Sequence, residues 1–297
     1  MMKNSPLTLI NLPSFIFKVY NINEKNLFSK IYILIVGKFS QLILKKTNKR
    51  LFCYSMNLLF RRYSNIKYDK KNKTYTKSIN KNLKINYPNK RVIRTIQNDQ
   101  NSIFNLLYET YCLDYITFKN GDTIIDCGAN VGELNYSFYL RSLDINYIGI
   151  EPDEQTYFSL QRNKLRETDT FYNIALSNEN GISNLYLDSF GGNSSLEYFG
   201  EKSFIEVHTK TIDSLLNPEK VKLFKVEAEG HEPEILSGAN NILKITEFVS
   251  VDFGFERGVE QKSTIKSVNE ILINNNFHLV DISQHRHVGL YKNSKIS

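Results

Sequence analysis

Cysteine is scarce in this sequence, and its spacing excludes two kinds of site. The chain has three cysteines, Cys53, Cys112 and Cys127, and no two of them have the CxxC spacing of a zinc ribbon or a redox pair. An odd number without paired spacing is typical of free thiols in a reducing compartment. We therefore expect three free thiols and a cytoplasmic protein.

Long apolar runs are also missing. Residues 31–44 form an apolar run of about 14 residues that is interrupted by Lys38, whereas a membrane-spanning helix needs roughly 20 mostly apolar residues. The start of the chain contains polar residues and proline between its apolar stretches and leads to no small-x-small cleavage pattern. The sequence thus predicts neither a signal peptide nor a transmembrane helix.

Acidic residues are nearly absent from the first third of the chain. Residues 1–95 contain 21 Lys and Arg but only two acids, Glu24 and Asp69, whereas residues 96–297 contain 17 bases and 29 acids. The balances of +19 and −12 predict two parts of different character. We expect residues 1–95 to be a basic, helical extension with a linker over residues 63–94, and residues 96–297 to be the main folded domain.

Two apolar segments of the basic part, around residues 27–44 and 51–60, are punctuated by Lys and Arg. Such helices suit peripheral contact with an anionic membrane or an acidic partner. A compositional bias towards Lys and Asn, with helices that only cap the main domain, explains the same pattern and stays open. Phosphate neutralisation would also allow nucleic-acid binding, but the sequence has no stacking motif or recognition fold to support it.

From about residue 100, short runs rich in Ile, Val and Tyr alternate with segments of helical period. This alternation is typical of an α/β fold, a parallel sheet with crossover helices. The predicted strands are residues 123–126, 147–151, 170–174, 223–228 and 248–252, the helices 132–142, 153–166, 232–242 and 263–275, and a closing hairpin 277–282 and 288–291. Ligands of such sheets bind beyond the carboxyl ends of the strands, where the strand order reverses.

The first of these strands is followed by a glycine turn, residues 126–132, with the sequence DCGANVG. Gly128 can approach a ligand closely, and Gly132 lets the next helix, with its free N–H groups, pack close to the strand. The dinucleotide fingerprint GxGxxG is absent, and an acid at Asp126 suits a cationic ligand better than a pyrophosphate. About 20 residues further on, Glu151 ends the second strand, where a carboxylate can bind ribose hydroxyls, although alone it would as readily cap a helix.

Five segments occur in an order that resembles one enzyme family: DTIIDCGANVG, IGIEPD, NIALSNENG, VHTKTIDSLL and LFKVEAEGHEPEILSGA. Over roughly residues 105–292 the chain resembles the FkbM family of S-adenosylmethionine-dependent methyltransferases. The resemblance implies a class I methyltransferase (Rossmann-like) fold, a seven-stranded, mostly parallel sheet with flanking helices and an antiparallel last strand. It also implies methyl transfer, usually to oxygen, by residues 96–297, and it leaves the basic extension unexplained.

The same resemblance implies the cofactor residues by position. Glu151 would bind the ribose of S-adenosylmethionine, Asn173 and Ala175 would flank the adenine, and the glycine turn would hold the methionine part. The turn residues are Asp126, Gly128, Ala129, Asn130 and Gly132. The charge agrees, since the ammonium and sulfonium of the cofactor are positive and would give Asp126 a partner.

Ionisable residues are densest at the end of the fourth strand, in the segment KVEAEGHEPE that begins at Lys225. Strand alternation puts Lys225, Glu227 and Glu229 on one face, which is costly in a buried strand unless they pair or do chemistry. Methyl transfer to a hydroxyl needs a group that takes the proton of the oxygen. The candidates are Glu229 first, then Glu227, where the family commonly has Asp, and His231, with Lys225 holding a carboxylate in place.

A Mg²⁺ site at the same edge is left open. Asp252, at the end of the fifth strand, would lie beside Glu227 and Glu229, and carboxylates are the hard oxygen ligands that Mg²⁺ prefers. Metal dependence is an alternative and not the leading interpretation.

Contacts with the acceptor are expected from the connections between the strands. Residues 188–208 are rich in Gly, Ser and aromatic residues and longer than an ordinary connection, which indicates a substrate lid. His208 is its best candidate for contact with a polyol. Arg257 would either clamp the acceptor or pair with Glu256, and residues 285–287, in the turn of the closing hairpin, are expected to be solvated.

The leading hypothesis is an S-adenosylmethionine-dependent O-methyltransferase that acts on a sugar hydroxyl of a polysaccharide, glycolipid or secondary metabolite. The acceptor class comes only from the resemblance. A cofactor-binding scaffold or regulatory protein without catalysis is the first alternative, and the glycine turn together with the strand-end carboxylates speaks against it. A nucleic-acid methyltransferase that uses the basic arm is the second, and the motif of Asp or Asn followed by Pro-Pro-Tyr expected for base methylation is missing.

Overall fold

The computed structural model describes residues 12–20, 26–97, 99, 101–187, 194–200 and 203–296. Its contacts divide the chain into two compact units, Met1–Ile103 and Phe104–Ser297. This division falls a few residues beyond the boundary between residues 95 and 96 that the charge balance predicts. The three cysteines are free thiols, as their spacing predicts, and all three are buried.

The first unit begins with three helices, α1 (Phe15–Val19), α2 (Leu27–Lys46) and α3 (Lys49–Leu59). The side chain of Asn26 caps α2 by accepting a hydrogen bond from the Ser29 amide at 2.9 Å. α2 includes 20 residues, more than the apolar run at residues 31–44. In the described part of the chain it is the one helix long and apolar enough to cross a membrane, with a mean hydropathy of 1.6.

Residues 63–94, expected to be a linker, instead contain an antiparallel sheet. Its strands are β1 (Ile66–Asp69), β2 (Thr74–Ser78) and β3 (Lys84–Tyr87), paired in that order and followed by a 3₁₀ helix at Lys90–Thr95. The linker prediction is wrong. It depended on the high content of Lys and Asn, whereas the few apolar residues between them are buried. Ile66, Ile85 and Tyr87 are at most 1% exposed.

The second unit alternates strands and helices along the chain. Its elements, starting with a helix that crosses the division, are α4 (Ser102–Thr110), a 3₁₀ turn (Leu113–Tyr115), β4 (Thr123–Cys127), α5 (Glu133–Leu140), β5 (Asn146–Ile150), α6 (Glu154–Arg162), β6 (Thr170–Tyr172), β7 (Ala175–Leu176), β8 (Gly181–Tyr186), β9 (Phe204–Lys210), α7 (Ile212–Leu215), β10 (Val221–Val226), α8 (Glu232–Ser237), α9 (Asn240–Ile245), β11 (Thr246–Asp252), β12 (Phe255–Arg257), β13 (Lys262–Ser263), α10 (Ile265–Asn274), β14 (Phe277–Ile282) and β15 (Val288–Asn293). Two predicted elements are divided. The helix over residues 232–242 breaks at Gly238 into α8 and α9, and the strand over 170–174 ends at Tyr172.

Seven of these strands form one sheet in the order β14-β15-β11-β10-β4-β5-β6. The strands from β11 to β6 are parallel, and β15 is antiparallel to both of its neighbours. This is the class I methyltransferase fold that the sequence predicts. Because the strand order reverses at β4, which has β5 on one side and β10 on the other, the ligand crevice lies at the carboxyl end of β4.

Apolar side chains cover both faces of this sheet. Successive residues of β4, Ile124 and Ile125, belong to two different buried clusters, and so do Leu223 and Phe224 of β10. Since alternate side chains of a strand point to opposite faces, the sheet is buried on both sides. The faces of the sheet are therefore apolar, and polar groups that could bind a ligand or take part in catalysis lie at the carboxyl ends of the strands.

A smaller sheet, in the order β7-β9-β8, borders the segment in which the sequence predicts a lid. β8 and β9 pair antiparallel, and the predicted lid overlaps β9 from Phe204 onward. Residues 188–193 and 201–202 of that segment lie outside the described residues. The lid interpretation is thus corrected in part, because the last five residues of the segment, 204–208, are strand.

Candidate active site

The glycine turn after β4 is packed tightly against its neighbours. Gly128 has a φ of +75°, and a Cβ added there would lie 2.1 Å from the carbonyl oxygen of Glu227, so only glycine fits. The amides of Gly128 and Ala129 both donate to the carbonyl of Ile150 at 3.0 Å. These contacts hold the turn between the carboxyl ends of β5 and β10.

The second half of the turn is also left-handed. Asn130 has a φ of 50° and Gly132 a φ of 86°. Gly132 directly precedes α5, and a Cβ there would lie 2.9 Å from the Leu160 side chain of α6. The glycine therefore permits a close approach between the start of α5 and α6.

Glu151 follows β5 and faces the turn. Its Oε2 accepts a hydrogen bond from the Asn130 amide at 2.9 Å, and its Oε1 accepts one from the Asp153 amide at 3.0 Å. Burial raises the pKa of Glu151 to about 7, because a charged carboxylate is disfavoured away from water. The remaining lone pairs suit the hydroxyl donors of a ribose, which is the role that the sequence predicts.

Asn173 and Ala175 lie just beyond β6. Asn173 Nδ2 donates to the carbonyl oxygens of Glu151 and Pro152, both at 2.9 Å. Ala175 is 3% exposed at the start of β7. Asn173 therefore fixes the backbone after β5, and the contact of either residue with an adenine stays a prediction.

Asp126 has a different partner from the one that the resemblance implies. Its carboxylate is 1% exposed, lies 2.9 Å from Lys225 Nζ and accepts a hydrogen bond from the Tyr147 hydroxyl. Burial raises the pKa of Asp126, and the charge of Lys225 opposes that rise. Lys225 thus neutralises this buried acid within the protein, and a contact of Asp126 with the ammonium group of a cofactor stays a prediction.

Lys225 ties β10 to the glycine turn. The parallel register pairs it with Asp126, and its Nζ also donates to the carbonyls of Cys127 and Gly128 at 3.0 Å. Burial alone would lower the pKa of Lys225, but the surrounding acids raise it well above its usual value. Lys225 is therefore charged and acts as a positioning residue for the turn.

Glu227, a candidate base, is held by three donors. Lys225 Nζ lies 3.2 Å from its Oε2, and the Tyr111 hydroxyl and the Arg286 guanidinium also donate to its carboxylate. Burial alone would raise the pKa of Glu227, but Lys225 and Arg286 lower it well below its ordinary value. A carboxylate stabilised in this way is a weak base, so the geometry favours an anchoring role.

Arg286 lies in the turn between β14 and β15, where the sequence predicts solvated residues. Its Nη2 lies 2.6 Å from Asp252 Oδ2 and 3.4 Å from Glu256 Oε1, and its Nη1 bonds to Glu227. The register pairs Val288, the first residue of β15, with Asp252, the last of β11. The side chain of Arg286 is 38% exposed, as the sequence predicts. Its pairing with the carboxylates was not predicted and arises because an antiparallel last strand begins where the parallel strands end.

Glu229, the first-choice base, occupies a left-handed turn after β10 with a φ of 51°. The Oγ of Ser195 holds this turn by donating to the Glu229 carbonyl at 2.9 Å. Burial raises the pKa of Glu229 to about 9, and the negative charges of Glu227 and Glu256 add to the rise. Without a positive ligand nearby, the side chain is protonated at neutral pH.

His231, the third candidate base, bridges two loops. Its Nδ1 lies 2.9 Å from Glu197 Oε1 and its Nε2 lies 3.0 Å from Ser177 Oγ. Both ring nitrogens are thus engaged within the protein. This geometry favours a structural role over a role as an open base.

Arg257 forms a bidentate pair with Glu234, at 2.7 and 2.9 Å, and donates to the Gly230 carbonyl at 3.2 Å. The expected pairing with Glu256 is wrong, since the partner is Glu234, in the first turn of α8. Because the planar fork of the guanidinium is used within the protein, its contact with an acceptor stays a prediction.

The residues considered for Mg²⁺ do not fit a divalent cation. Arg286 bonds to both Glu227 and Asp252, so a metal ion between these carboxylates would have to displace a guanidinium. In the described part of the chain, the group of three ligand atoms within 4.8 Å of one another is a different set, Glu197, His231 and Glu234.

The predicted acceptor residues of the lid region are at the surface. His208 is exposed on β9, paired in register with Ile182. Tyr198 is 50% exposed, with its ring edge against Tyr186 at a centroid distance of 5.1 Å. The contact of His208 with an acceptor stays a prediction.

Sequence reasoning missed Tyr111 and Arg286, which belong to no motif. Tyr111 follows α4 and donates to Glu227 from 116 residues away. Electrostatics would have indicated Tyr111 and Arg286, because buried carboxylates at one edge of a sheet require hydrogen-bond donors. The segments before β4 and before β15, which contain these two residues, both reach that edge.

Seven strands in this order, a glycine turn after β4 and a carboxylate after β5 define a class I S-adenosylmethionine-dependent methyltransferase. Residues 126–279 match the profile of the methyltransferase FkbM domain. The match spans just over half of the chain, and the chain belongs to this family.

Three methyltransferases illustrate what the chain is similar to. Hexuronic acid methyltransferase AglP of Haloferax volcanii is 27% identical over 183 residues, which cover 60% of this chain and 71% of AglP. The S-adenosyl-L-methionine complex of Streptococcus pneumoniae Sp1610 is 13% identical with a TM-score of 0.39, covering 66% of this chain and 75% of that one. A SAM dependent methyltransferase from Aquifex aeolicus is 14% identical with a TM-score of 0.38, covering 64% and 96%.

Proposed function

We propose that this protein transfers a methyl group from S-adenosylmethionine to a sugar hydroxyl of a polysaccharide, glycolipid or secondary metabolite. The observation that carries the proposal is Glu229, an acid fixed at the carboxyl end of β10, beside the glycine turn, with a pKa raised to about 9. AglP, which shares 27% identity with the chain, is a hexuronic acid methyltransferase, and this supports a sugar as the acceptor.

Glu151 supports the placement of the cofactor at the ends of β4 and β5. It is a buried carboxylate that accepts two amide hydrogen bonds and lacks a cation partner among the described ion pairs, so ribose hydroxyls would complete its hydrogen bonding. Gly128 and Asn130 would border the methionine part of the cofactor. When bound, the cofactor supplies an electrophilic methyl group on a positively charged sulfur.

Glu229 would take the proton of the acceptor hydroxyl. Its carboxyl group becomes a base when its pKa falls, and a positive charge nearby lowers the pKa of a carboxyl. Ser195 fixes the backbone of Glu229 and Lys225 fixes the turn beside it. These hydrogen bonds would hold the base close to the donor site, and proximity of this kind favours general-base catalysis.

Calorimetric titration with S-adenosylhomocysteine, followed by methyl-transfer assays on a hexuronic acid and on a neutral hexose, tests the proposal. Glu229→Gln should keep the affinity for S-adenosylhomocysteine and lose methyl transfer, because Gln cannot accept the proton. The matched control is Glu206→Gln, at an exposed position of β9, which should change neither.

Three outcomes would overturn parts of the proposal. Binding of S-adenosylhomocysteine without transfer to any sugar supports the scaffold alternative. Methyl incorporation into RNA, and none into sugars, supports the nucleic-acid alternative. Full turnover by Glu229→Gln shows that another group is the base.

A further inference from the structure

In the described part of the first unit, α2 and α3 expose many large apolar side chains. We define the α2–α3 face by the exposed apolar residues of the two helices. These are Leu27, Phe28, Ile31, Tyr32, Ile35, Phe39 and Leu42 of α2 and Leu51, Tyr54 and Leu58 of α3, between 46% and 83% exposed.

The exposed residues of α2 form a continuous stripe. At about 100° per residue, the positions from Phe28 to Leu42 on this face fall within an arc of about 100° along the helix. The opposite side of α2 is already used, since Ile33, Val36 and Ser40 are at most 4% exposed. α2 is therefore apolar on two sides, with only one of them covered by protein.

Positive charge surrounds the α2–α3 face. Residues 27–62 contain eight Lys and Arg and no Asp or Glu. Lys38 and Lys45 lie along one edge of the stripe by helical position, and Lys46, Lys49 and Arg50 are exposed at the junction of the two helices. Exposed apolar side chains within a cationic border suit a surface that is apolar inside and anionic at its boundary.

We propose that the α2–α3 face docks on an anionic lipid bilayer, with α2 lying in the plane of the interface. The apolar stripe would enter the boundary between headgroups and acyl chains, and the Lys and Arg border would contact the headgroups. Charge decides against pairing of this face with the same face of a second copy. Five cations of each copy, Lys38, Lys45, Lys46, Lys49 and Arg50, would meet, and residues 27–62 contain no acid to separate them. The buried side of α2 decides against a spanning helix, because Ile33 and Val36 are already covered by protein, at 2% and 4% exposed.

This proposal is independent of the acceptor and of the chemistry at β10. It gives the basic part of the chain a role that the methyltransferase fold does not need. An enzyme docked in this way would act on substrates at or near an anionic membrane surface.

Sedimentation of the purified full chain with extruded vesicles tests the docking. Vesicles containing about 30 mol % phosphatidylglycerol should bind the protein, and neutral phosphatidylcholine vesicles should bind it about tenfold more weakly, since several Lys and Arg contribute. Phe28→Ser together with Phe39→Ser should weaken binding to the anionic vesicles by about tenfold or more, because two exposed rings no longer enter the interface.

The matched control replaces two equally exposed apolar residues of the second unit, Ile182→Ser with Val259→Ser, at 66% and 64% exposed. It should bind vesicles as the wild type does. Circular dichroism melts of both double variants should match the wild type, because all four side chains are at the surface.

Absence of wild-type sedimentation, or equal loss in both double variants, overturns the proposal. A dimer in light scattering that Phe28→Ser with Phe39→Ser converts to a monomer, without vesicle binding, assigns the face to a second copy. Protein that stays with membranes through alkaline carbonate extraction assigns α2 to a spanning helix instead.

Discussion

Replacing Arg286 by alanine tests whether the hairpin turn belongs to the site. Arg286 bonds to Glu227, lies 2.6 Å from Asp252 and lies 3.4 Å from Glu256. Its removal leaves three carboxylates without their shared guanidinium. The variant should therefore lose stability and change the titration of the acids that remain.

The size of the effect follows from burial. The side chain of Asp252 is 2% exposed, that of Glu227 is 16% and that of Arg286 is 38%. A buried carboxylate left without its partner costs about 3–5 kcal/mol, whereas an exposed pair contributes about 0–1 kcal/mol. Because water reaches Arg286, and because Asp252, with a pKa raised to about 6, can take up a proton, we expect a loss of about 2 kcal/mol. For a unit of this size the melting temperature would fall by about 4–8 °C.

The pH profile of methyl transfer provides a second readout. The charge of Arg286 lowers the pKa of Glu229, so its loss should raise that pKa further. A base with a higher pKa is deprotonated at higher pH, and the rising limb of the profile should move in the alkaline direction. Arg286→Lys, which keeps the charge, should show a smaller change in both measurements.

The control is Lys266→Ala, at an exposed position of α10, which should leave the melting temperature and the profile unchanged. If Arg286→Ala behaves like this control, Arg286 is a solvated residue of the turn, and its contacts with the carboxylates carry no weight.

Three further predictions concern the glycine turn and Glu229. Gly128→Ala should abolish binding of S-adenosylhomocysteine in calorimetry, because the added Cβ would lie 2.1 Å from a carbonyl oxygen. The control Gly121→Ala, at a φ of +86° with nothing within 4 Å of the added Cβ, should bind normally. Equal losses of binding in the two variants would show that only backbone strain matters. The pKa of Glu229 rises from 4.5 to about 9 on folding, so between these values the folded state holds a proton that the unfolded state releases, and stability falls as pH rises. Melting temperatures should therefore fall between about pH 6 and pH 9, and Glu229→Gln should flatten that slope; a parallel slope in the variant argues against the raised pKa. Calorimetry in two buffers of different ionisation enthalpy should detect proton release when S-adenosylmethionine binds, and a smaller proton release when S-adenosylhomocysteine binds. Equal proton release for the two ligands would contradict the coupling between the sulfonium and Glu229.

The fold of the second unit was predictable because its signals are local. The apolar run before Asp126, the turn through Gly128 and the acid at Glu151 each depend on a few adjacent residues, and their spacing fixes a strand, a turn and the next strand. The order of five such segments then defines the sheet. Burial of these strands on both faces follows from their composition.

Partners that come from distant segments were not predictable. Lys225 neutralises Asp126 because the parallel register places them side by side, and Arg286 reaches Glu227 because β15 is antiparallel. Neither strand register can be predicted from the residues of these segments alone. The sheet at residues 63–94 was not predicted for another reason. The many Lys and Asn residues obscure the alternating pattern of a few apolar residues such as Ile66 and Ile85.

The charge of the site links these observations. Three acids, Glu227, Asp252 and Glu256, pair with the Arg286 guanidinium, and a fourth, Glu229, responds to its charge. Lys225 also contacts Glu227, but it is shared with Asp126. Full ionisation of the four acids is unfavourable at such distances, and the proton on Glu229, with its pKa raised to about 9, relieves part of the repulsion. On the proposed function, the positive sulfur of the methyl donor would relieve the same repulsion in place of that proton. Glu229 would then be a base when the charged donor is bound and an acid when the neutral product remains, because the same acid cluster responds to both.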